Sequence, residues 1–230
     1  APFLHNQWQG SPITAVKHLQ NTPAIEIYNP ADPSDLVGTV HEATSEQTQA
    51  AINSAVEGFS SWNNQSAEQR AKCLNKLADL YEEHAAEFFA LATREAGKSL
   101  LDAVGELREA VDFARYYATQ ATEVTTGESA RGVITCISPW NFPLAIFSGQ
   151  ILAALAAGNT VLAKPAEQTV LIAAKAVKLM HQAGIPDNAV QLLPGSGANI
   201  GAQLTSDPRI AGVCFTGSTP TASIMAGYAG

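Results

Sequence analysis

The chain has 230 residues, a formal net charge of -8 and a sequence pI of about 5.0, and 46% of its residues are hydrophobic. This composition is that of an ordinary globular protein of one large domain or two small ones. The acidic balance argues against a nucleic-acid partner through this region. The most apolar stretch, 151–157, is too short for a transmembrane segment.

The three cysteines are Cys73, Cys136 and Cys214, and no two of them form a C-x-x-C pair. We therefore expect neither a disulfide framework nor a bound metal, and we expect a reducing, cytoplasmic setting. Cys136 and Cys214 stand in apolar, strand-like runs, where a buried thiol stays neutral and inert. All three cysteines are thus predicted to be structural.

The first part of the chain, 1–44, is predicted to be extended. Residues 25–28 and 36–40 resemble strands, and the turn-forming stretch 29–33 separates them. This pattern predicts a hairpin or a small β meander.

The next part, 45–122, is predicted to be helical. Thr44 with Gln47, and Ser66 with Gln69, have the spacing of capping boxes, in which a hydroxyl caps the first turn and the amide reaches back. A further helix should follow a stop at Gly97 and a cap at Ser99. Its polar side is predicted to face solvent and contains Glu106, Arg108, Glu109 and Asp112.

From 132 to 230 the pattern changes to strands alternating with helices. Strand-like runs occur at 133–137, 160–163, 190–193 and 212–215, and helical runs at 143–157, 171–183 and 199–205. This alternation predicts a doubly wound, mostly parallel α/β sheet. Such sheets bind ligands beyond the carboxyl ends of their strands. That rule indicates the segments 138–141, 164–167, 194–197 and 216–218.

Lys164 and Glu167 follow the second of these strands. A carboxylate there can accept hydrogen bonds from both hydroxyls of a ribose and would repel a 2′-phosphate, which favours NAD over NADP. An ordinary surface Lys–Glu pair is the alternative. Residues 195–201 resemble a dinucleotide-binding glycine pattern, but the last glycine comes one residue late, and a plain tight turn explains them as well.

Two further strand ends carry candidate groups. The segment 215–218 presents backbone N–H groups at a helix start, as an anion site for a pyrophosphate needs, although Ser218 also fits a simple helix cap. Pro139 and Pro143 bracket Asn141 and would hold its amide in a fixed direction. A fixed N–H donor suits an oxyanion hole, while a helix-capping asparagine is the alternative.

Taken together, the segments 137–143, 158–161, 164–169, 192–195 and 215–218 resemble the motifs of the aldehyde dehydrogenase superfamily, in the same order. The resemblance runs from about residue 25 to residue 221. Within the superfamily, the segments 108–113, 115–117, 136–138 and 163–169 are most similar to glutamate-semialdehyde (1-pyrroline-5-carboxylate) dehydrogenases, including the dehydrogenase module of the bifunctional proline-utilisation (PutA) proteins.

The resemblance implies a Rossmann-like NAD-binding domain and NAD as the cofactor. It implies that Asn141 is the catalytic oxyanion-hole donor, that Lys164 and Glu167 hold the adenosine ribose, and that the 216–218 turn lies along the pyrophosphate and nicotinamide. The full set of implied cofactor-binding residues is Ile137, Ser138, Pro139, Trp140, Lys164, Ala166, Glu167, Gly197, Gly201, Phe215, Thr216, Gly217 and Ser218.

The family reaction uses a cysteine nucleophile from a G-Q-x-C motif and a glutamate base from an E-x-G-G motif. Neither motif occurs in this chain. We therefore expect the NAD-binding part of an enzyme that oxidises glutamate 5-semialdehyde to glutamate, inactive alone, with the catalytic domain absent and the sheet incomplete. A non-catalytic nucleotide-binding or assembly module, or a dehydrogenase for another aldehyde such as succinate semialdehyde, stays open. The segment 123–131 is shorter than the family's oligomerisation hairpin, which leaves the expected homo-oligomer in doubt for this chain.

Overall fold

The computed structural model describes residues 2–17, 22–123 and 129–228. The strands are β1 (Trp8–Gly10), β2 (Ile25–Asn29), β3 (Asp32–Val40), β4 (Val133–Ile137), β5 (Thr160–Lys164), β6 (Val190–Leu192) and β7 (Ile210–Phe215). The helices are α1 (Ser45–Asn63), α2 (Ala67–Glu83), α3 (Ala85–Arg94), α4 (Leu100–Glu123), α5 (Ala145–Ala156), α6 (Val170–Gln182), a π-helical turn (Gly197–Gly201), α7 (Ala202–Ser206) and α8 (Thr219–Tyr228). Most of the segment 123–131, predicted as a shortened hairpin, lies outside the described residues.

A small three-stranded sheet forms the N-terminal part. Strands β2 and β3 pair antiparallel with Ile25 opposite Val40, which confirms the predicted hairpin. Strand β1 adds to β3 in parallel and gives the order β1-β3-β2. We did not predict β1 from the sequence, because three residues are too few to show a period-2 pattern.

The helices α1 and α2 begin where the capping boxes predicted. The backbone N–H of Gln47 donates to Thr44 Oγ1 at 3.1 Å, and the Gln47 amide oxygen accepts from the N–H of Thr44 at 2.9 Å. Ser66 and Gln69 make the same reciprocal pair. Between α3 and α4 the chain turns at Gly97, whose φ of +65° lies in the left-handed region that glycine adopts without strain.

The second sheet has four parallel strands in the order β6-β5-β4-β7. Alternate residues of β5 belong to different parts of the core: Val161 and Ala163 pack with α2, α4, α5 and α6, whereas Leu162 packs with α1 and α7. Helices therefore cover both faces, as strands buried on both sides require. The predicted doubly wound α/β fold is confirmed.

Some boundaries differ from the prediction. Helix α5 starts at Ala145, two residues after Pro143, because the N–H groups of Leu144 and Ala145 bond a side chain from α4. The segment 199–205, predicted as one helix, is divided between the π-helical turn Gly197–Gly201 and α7, Ala202–Ser206. Every helix in the described part of the chain is too short or too polar to span a lipid bilayer.

Candidate functional site

A cavity of about 960 Å³ opens beyond the carboxyl ends of β4, β5 and β7. The residues to which the family resemblance assigned a role line it: Ile137, Ser138, Pro139, Trp140, Asn141, Lys164, Ala166, Glu167, Gly197, Gly201, Phe215, Thr216, Gly217 and Ser218. From the predicted strand-end segments 164–167 and 194–197, Pro165 and residues 194–196 do not line it. The segments that contribute the lining residues come from distant parts of the chain, yet they share one crevice. Their individual roles stay predictions.

The wall also contains Phe142 and Gln168, which lie in the motif segments 137–143 and 164–169 but were assigned no role. It further contains residues outside those two segments: Ile146, Ala198, Ala202, Thr205, Thr221, Ile224 and Met225. Several of them lie one turn along a helix from a predicted residue, as Thr205 does from Gly201 in the π-helical turn and α7. Helical spacing from a motif residue was thus the signal that could have found them.

At one end of the cavity, Glu167 and Lys164 differ in exposure. Glu167 is exposed, and its Oε1 accepts a hydrogen bond from the backbone N–H of Gly197 at 3.1 Å. Lys164 is only 4% exposed, and its Nζ donates to the carbonyl of Pro165 at 3.2 Å. Burial lowers the pKa of Lys164, while the charges of Glu167 and Glu42 oppose that shift. Lys164 and Glu167 thus place hydrogen-bond donors and a hydrogen-bond acceptor close together.

At the end of β4, Ser138 is buried, and among the described residues its hydroxyl oxygen has no hydrogen-bond partner. A buried hydroxyl without a partner costs about 1–3 kcal/mol, so a polar ligand group or water at this place would stabilise the site. Beside it, Trp140 is 56% exposed and contributes an aromatic surface to the cavity wall. These features fit a partly polar, partly aromatic ligand such as a dinucleotide.

A buried ion pair between Lys98 and Glu106 anchors the loop that contains Asn141. Lys98 Nζ lies 2.9 Å from Glu106 Oε1, donates to the backbone carbonyl of Asn141 at 2.7 Å, and sits 4.6 Å from the ring centroid of Phe142. Glu106 Oε2 accepts from the N–H groups that begin α5. The prediction that Glu106 faces solvent is wrong: it is 2% exposed, because α5 packs over that side of α4.

A second side chain joins the ends of β4 and β7. The side-chain amide of Gln150, on α5, donates to the carbonyl of Ile137 at 3.2 Å in its better-satisfied orientation. In the same orientation its oxygen accepts from the hydroxyl and the backbone N–H of Thr216, at 2.6 and 3.2 Å. Sequence reasoning missed Gln150, since nothing local separates it from other helix residues.

The prediction that Cys214 is buried is also wrong for the described residues, while its expected inertness stays a prediction. Strand β7 lies at the edge of the described sheet, where Cys214 is exposed. The thiol of Cys136, its partner in the parallel register, lowers the pKa of Cys214 to about 6. Cys136 is buried as expected, and its pKa is raised by the neighbouring Cys214 thiol and by burial. Burial also raises the pKa of Cys73.

Comparison with known proteins decides the family. A model of the aldehyde dehydrogenase family matches residues 17–230. The chain belongs to the aldehyde dehydrogenase family. Within it, the chain is 48% identical over 223 residues to the bifunctional protein PutA of Salmonella typhimurium, covering 95% of this chain and 17% of that protein. It is 39% identical to 1-pyrroline-5-carboxylate dehydrogenase 1 of Halalkalibacterium halodurans, covering 84% of this chain and 40% of that one.

Solved aldehyde dehydrogenase structures agree. PutA from Bdellovibrio bacteriovorus superposes with a TM-score of 0.90 at 33% identity, covering 96% of this chain and 24% of that one. A 1-pyrroline-5-carboxylate dehydrogenase from Thermus with bound NAD also gives 0.90, at 35% identity, covering 97% of this chain and 46% of that one. These relatives confirm the resemblance and the fold, and this chain spans less than half of each relative's length.

Proposed function

We propose that this chain is the NAD-binding part of an aldehyde dehydrogenase that oxidises glutamate 5-semialdehyde to glutamate. The observation that carries the proposal is the single cavity beyond the strand ends, which gathers the predicted dinucleotide-binding residues. Glu167 and Lys164 would hold the adenosine ribose, and the turn of Thr216, Gly217 and Ser218 would lie along the pyrophosphate and nicotinamide. NAD, when bound, supplies a hydride acceptor.

The charges of the cavity support NAD over NADP. The Glu167 carboxylate is fixed by the N–H of Gly197 through one oxygen, so its other oxygen can face the ribose hydroxyls. A 2′-phosphate at the same place would meet that carboxylate at close range, and the two negative charges would repel each other. Buried Lys164 stands beside Glu167 as a cationic donor.

Asn141 is the residue that we assign to the oxyanion hole. It lies at the exposed rim of the same cavity, and Lys98 holds its backbone carbonyl while the side chain stays free of that contact. A pre-positioned amide N–H stabilises negative charge that develops on a substrate oxygen. The sequence contains neither an E-x-G-G nor a G-Q-x-C motif, so we expect no dehydrogenase activity from the 230 residues alone.

NAD and NADP titration of the purified chain by calorimetry tests the cofactor assignment. Glu167→Ala should weaken NAD binding by about 1–3 kcal/mol, which is the cost of losing a charged hydrogen-bond acceptor. It should also reduce the ratio of the affinity for NAD to the affinity for NADP. Glu57→Ala is the matched control, because Glu57 is an exposed glutamate of α1 outside the cavity. Unchanged affinities for both cofactors in the Glu167 variant would remove the ribose assignment.

The substrate assignment rests on the relatives, which are named as PutA and 1-pyrroline-5-carboxylate dehydrogenases. Its test is substrate competition in a protein that joins this chain to a complete catalytic domain. Glutamate 5-semialdehyde should outcompete succinate semialdehyde in kcat/KM, and the opposite order would overturn the assignment. We also propose that the parent protein is cytoplasmic, which the free thiols of Cys73, Cys136 and Cys214 suit. We propose in addition that it is a homo-oligomer, which sedimentation analysis can check.

A further inference from the structure

One side chain of α5, that of Gln150, connects the ends of β4 and β7. Its amide nitrogen donates to the backbone carbonyl of Ile137 at 3.2 Å, and its amide oxygen accepts from the hydroxyl and the backbone N–H of Thr216 at 2.6 and 3.2 Å. Ile137 and Thr216 line the cavity, and Gln150 does not. Gln150 can therefore act on a ligand only through the residues that it holds.

Two backbone groups fix the orientation of the Gln150 amide. The carbonyl of Ile137 can only accept a hydrogen bond, and the N–H of Thr216 can only donate one. The amide nitrogen must therefore face Ile137, and the amide oxygen must face Thr216. The distance of 2.6 Å to Thr216 Oγ1 agrees, because it is usual for an O–H···O bond and short for an N–H···O bond. The hydroxyl of Thr216 is thus the donor in this bond.

This donor role determines what the Thr216 hydroxyl can offer to a ligand in the cavity. A threonine hydroxyl has one proton and two lone pairs, and the proton of Thr216 is used in the bond to Gln150. The remaining lone pair accepts hydrogen bonds and repels groups that can only accept. The oxygens of a pyrophosphate and of a carboxamide are such acceptors. The amino group of a carboxamide is a donor, and it is the group of a nicotinamide that this hydroxyl can bind.

We propose that Gln150 is a positioning residue, which makes the Thr216 hydroxyl an acceptor for the carboxamide N–H of the nicotinamide. The inference rests on the proposed NAD-binding function and adds a source of specificity to it. With Gln150 in place, Thr216 favours one of the two orientations that a carboxamide can take. Without an acceptor at position 150, the hydroxyl could rotate and donate to the carboxamide oxygen, so the preference for an amino group would be lost.

Three ligands separate this role of Gln150 from cofactor binding in general. NAD has the carboxamide, acetylpyridine adenine dinucleotide has a methyl group in place of the amino group, and ADP-ribose lacks the ring. In calorimetric titration of the 230-residue chain, NAD should bind roughly three- to tenfold more tightly than the acetyl analogue, which is the range expected for one hydrogen bond between neutral groups. The affinity for ADP-ribose reports on the rest of the site.

The variants change the acceptor, the hydroxyl, or neither. Gln150→Leu should lower the ratio of the NAD affinity to the acetyl-analogue affinity by roughly three- to tenfold, with the affinity for ADP-ribose changed less than about twofold. Thr216→Val should lower the ratio equally, and the double variant should lower it no further. Gln150→Glu keeps an acceptor for the hydroxyl and should keep most of the ratio. Gln182→Leu, at an exposed glutamine of α6 outside the cavity, is the matched control and should leave the ratio unchanged.

The outcomes distinguish this inference from the proposed function. Circular dichroism establishes that each variant is folded, and Thr216→Val supplies the test if Gln150→Leu does not fold. If the ligands bind and the ratio in the folded variants equals that of the unchanged chain, the inference is overturned and the proposed NAD-binding function stands. If neither dinucleotide nor ADP-ribose binds the unchanged chain, both are overturned. A ratio that falls in Gln150→Leu and Thr216→Val but not in Gln150→Glu supports both.

Discussion

Glu106 links three parts of the molecule, so its removal should destabilise the fold strongly. Its side chain is 1% exposed, and that of its partner Lys98 is 14% exposed. One oxygen accepts from Lys98 at 2.9 Å, and the other accepts from the N–H groups of Leu144 and Ala145 at 3.1 and 2.9 Å. Glu106→Ala leaves a mostly buried ammonium without its anion and the first turn of α5 without its acceptor.

The magnitude follows from these contacts. Removing one partner of a buried ion pair costs about 3–5 kcal/mol, against a total stability of roughly 5–15 kcal/mol for a domain. Glu106→Gln keeps the shape and one acceptor oxygen but loses the charge, so we expect about 1.5–3 kcal/mol. Lys98→Met removes the cation and leaves the helix cap in place. The double variant should be less destabilised than the sum of the single changes, because the two groups are coupled.

Urea unfolding followed by circular dichroism measures these free energies. Lys178→Met, an exposed lysine of α6, is the matched control for Lys98→Met and should be nearly neutral. Lys98 also holds the carbonyl of Asn141, so its loss should additionally weaken NAD binding in calorimetry. A loss below about 1 kcal/mol in Glu106→Ala, or strict additivity in the double variant, would refute the reasoning.

The remaining predictions concern a second buried carboxylate and a helix cap. Burial raises the pKa of Glu95 to about 8, although its carboxylate accepts from the N–H groups of Leu171 and Ile172 at 2.6 and 2.9 Å. The unfolded carboxyl titrates near 4.5, so between pH 4.5 and 8 the unfolded state binds fewer protons, and stability should fall as pH rises through that window. Glu95→Gln should flatten this slope in urea midpoints measured from pH 5 to 8, and a slope equal to that of the unchanged chain would contradict the assignment. Thr44→Ala should cost about 1 kcal/mol by loss of the α1 cap, whereas Thr44→Ser should cost less, and thermal melts compare the two.

The elements that sequence predicted well carry their signal locally. Strands β4 and β5 are continuous β-prone runs because both of their faces are buried. The starts of α1 and α2 are encoded within four residues by their capping boxes. The cavity could be predicted because parallel strands bring their carboxyl ends to one edge, whatever lies between them in sequence.

The features that sequence missed depend on contacts distant along the chain. Glu106 bonds backbone groups 38 and 39 residues away, so its helical position alone could not distinguish it from its exposed neighbour Glu109. Cys214 lies in an apolar run like that of Cys136, yet their exposure differs because β7 is at the edge of the described sheet and β4 is inside it. The exposure of these side chains depends on the position of their strand in the sheet, and the hydropathy pattern of the sequence does not reveal that position.

The two buried glutamates together explain how the helical segment shapes the candidate site. Neither α5 nor α6 has a capping side chain of its own, and each instead receives a glutamate, Glu106 and Glu95 respectively, from the segment before the sheet. These helices follow β4 and β5, so fixing their first turns also fixes the loops 138–143 and 165–169 between strand and helix. Because those loops line the cavity, a change in either glutamate should alter ligand binding as well as stability, without touching the ligand.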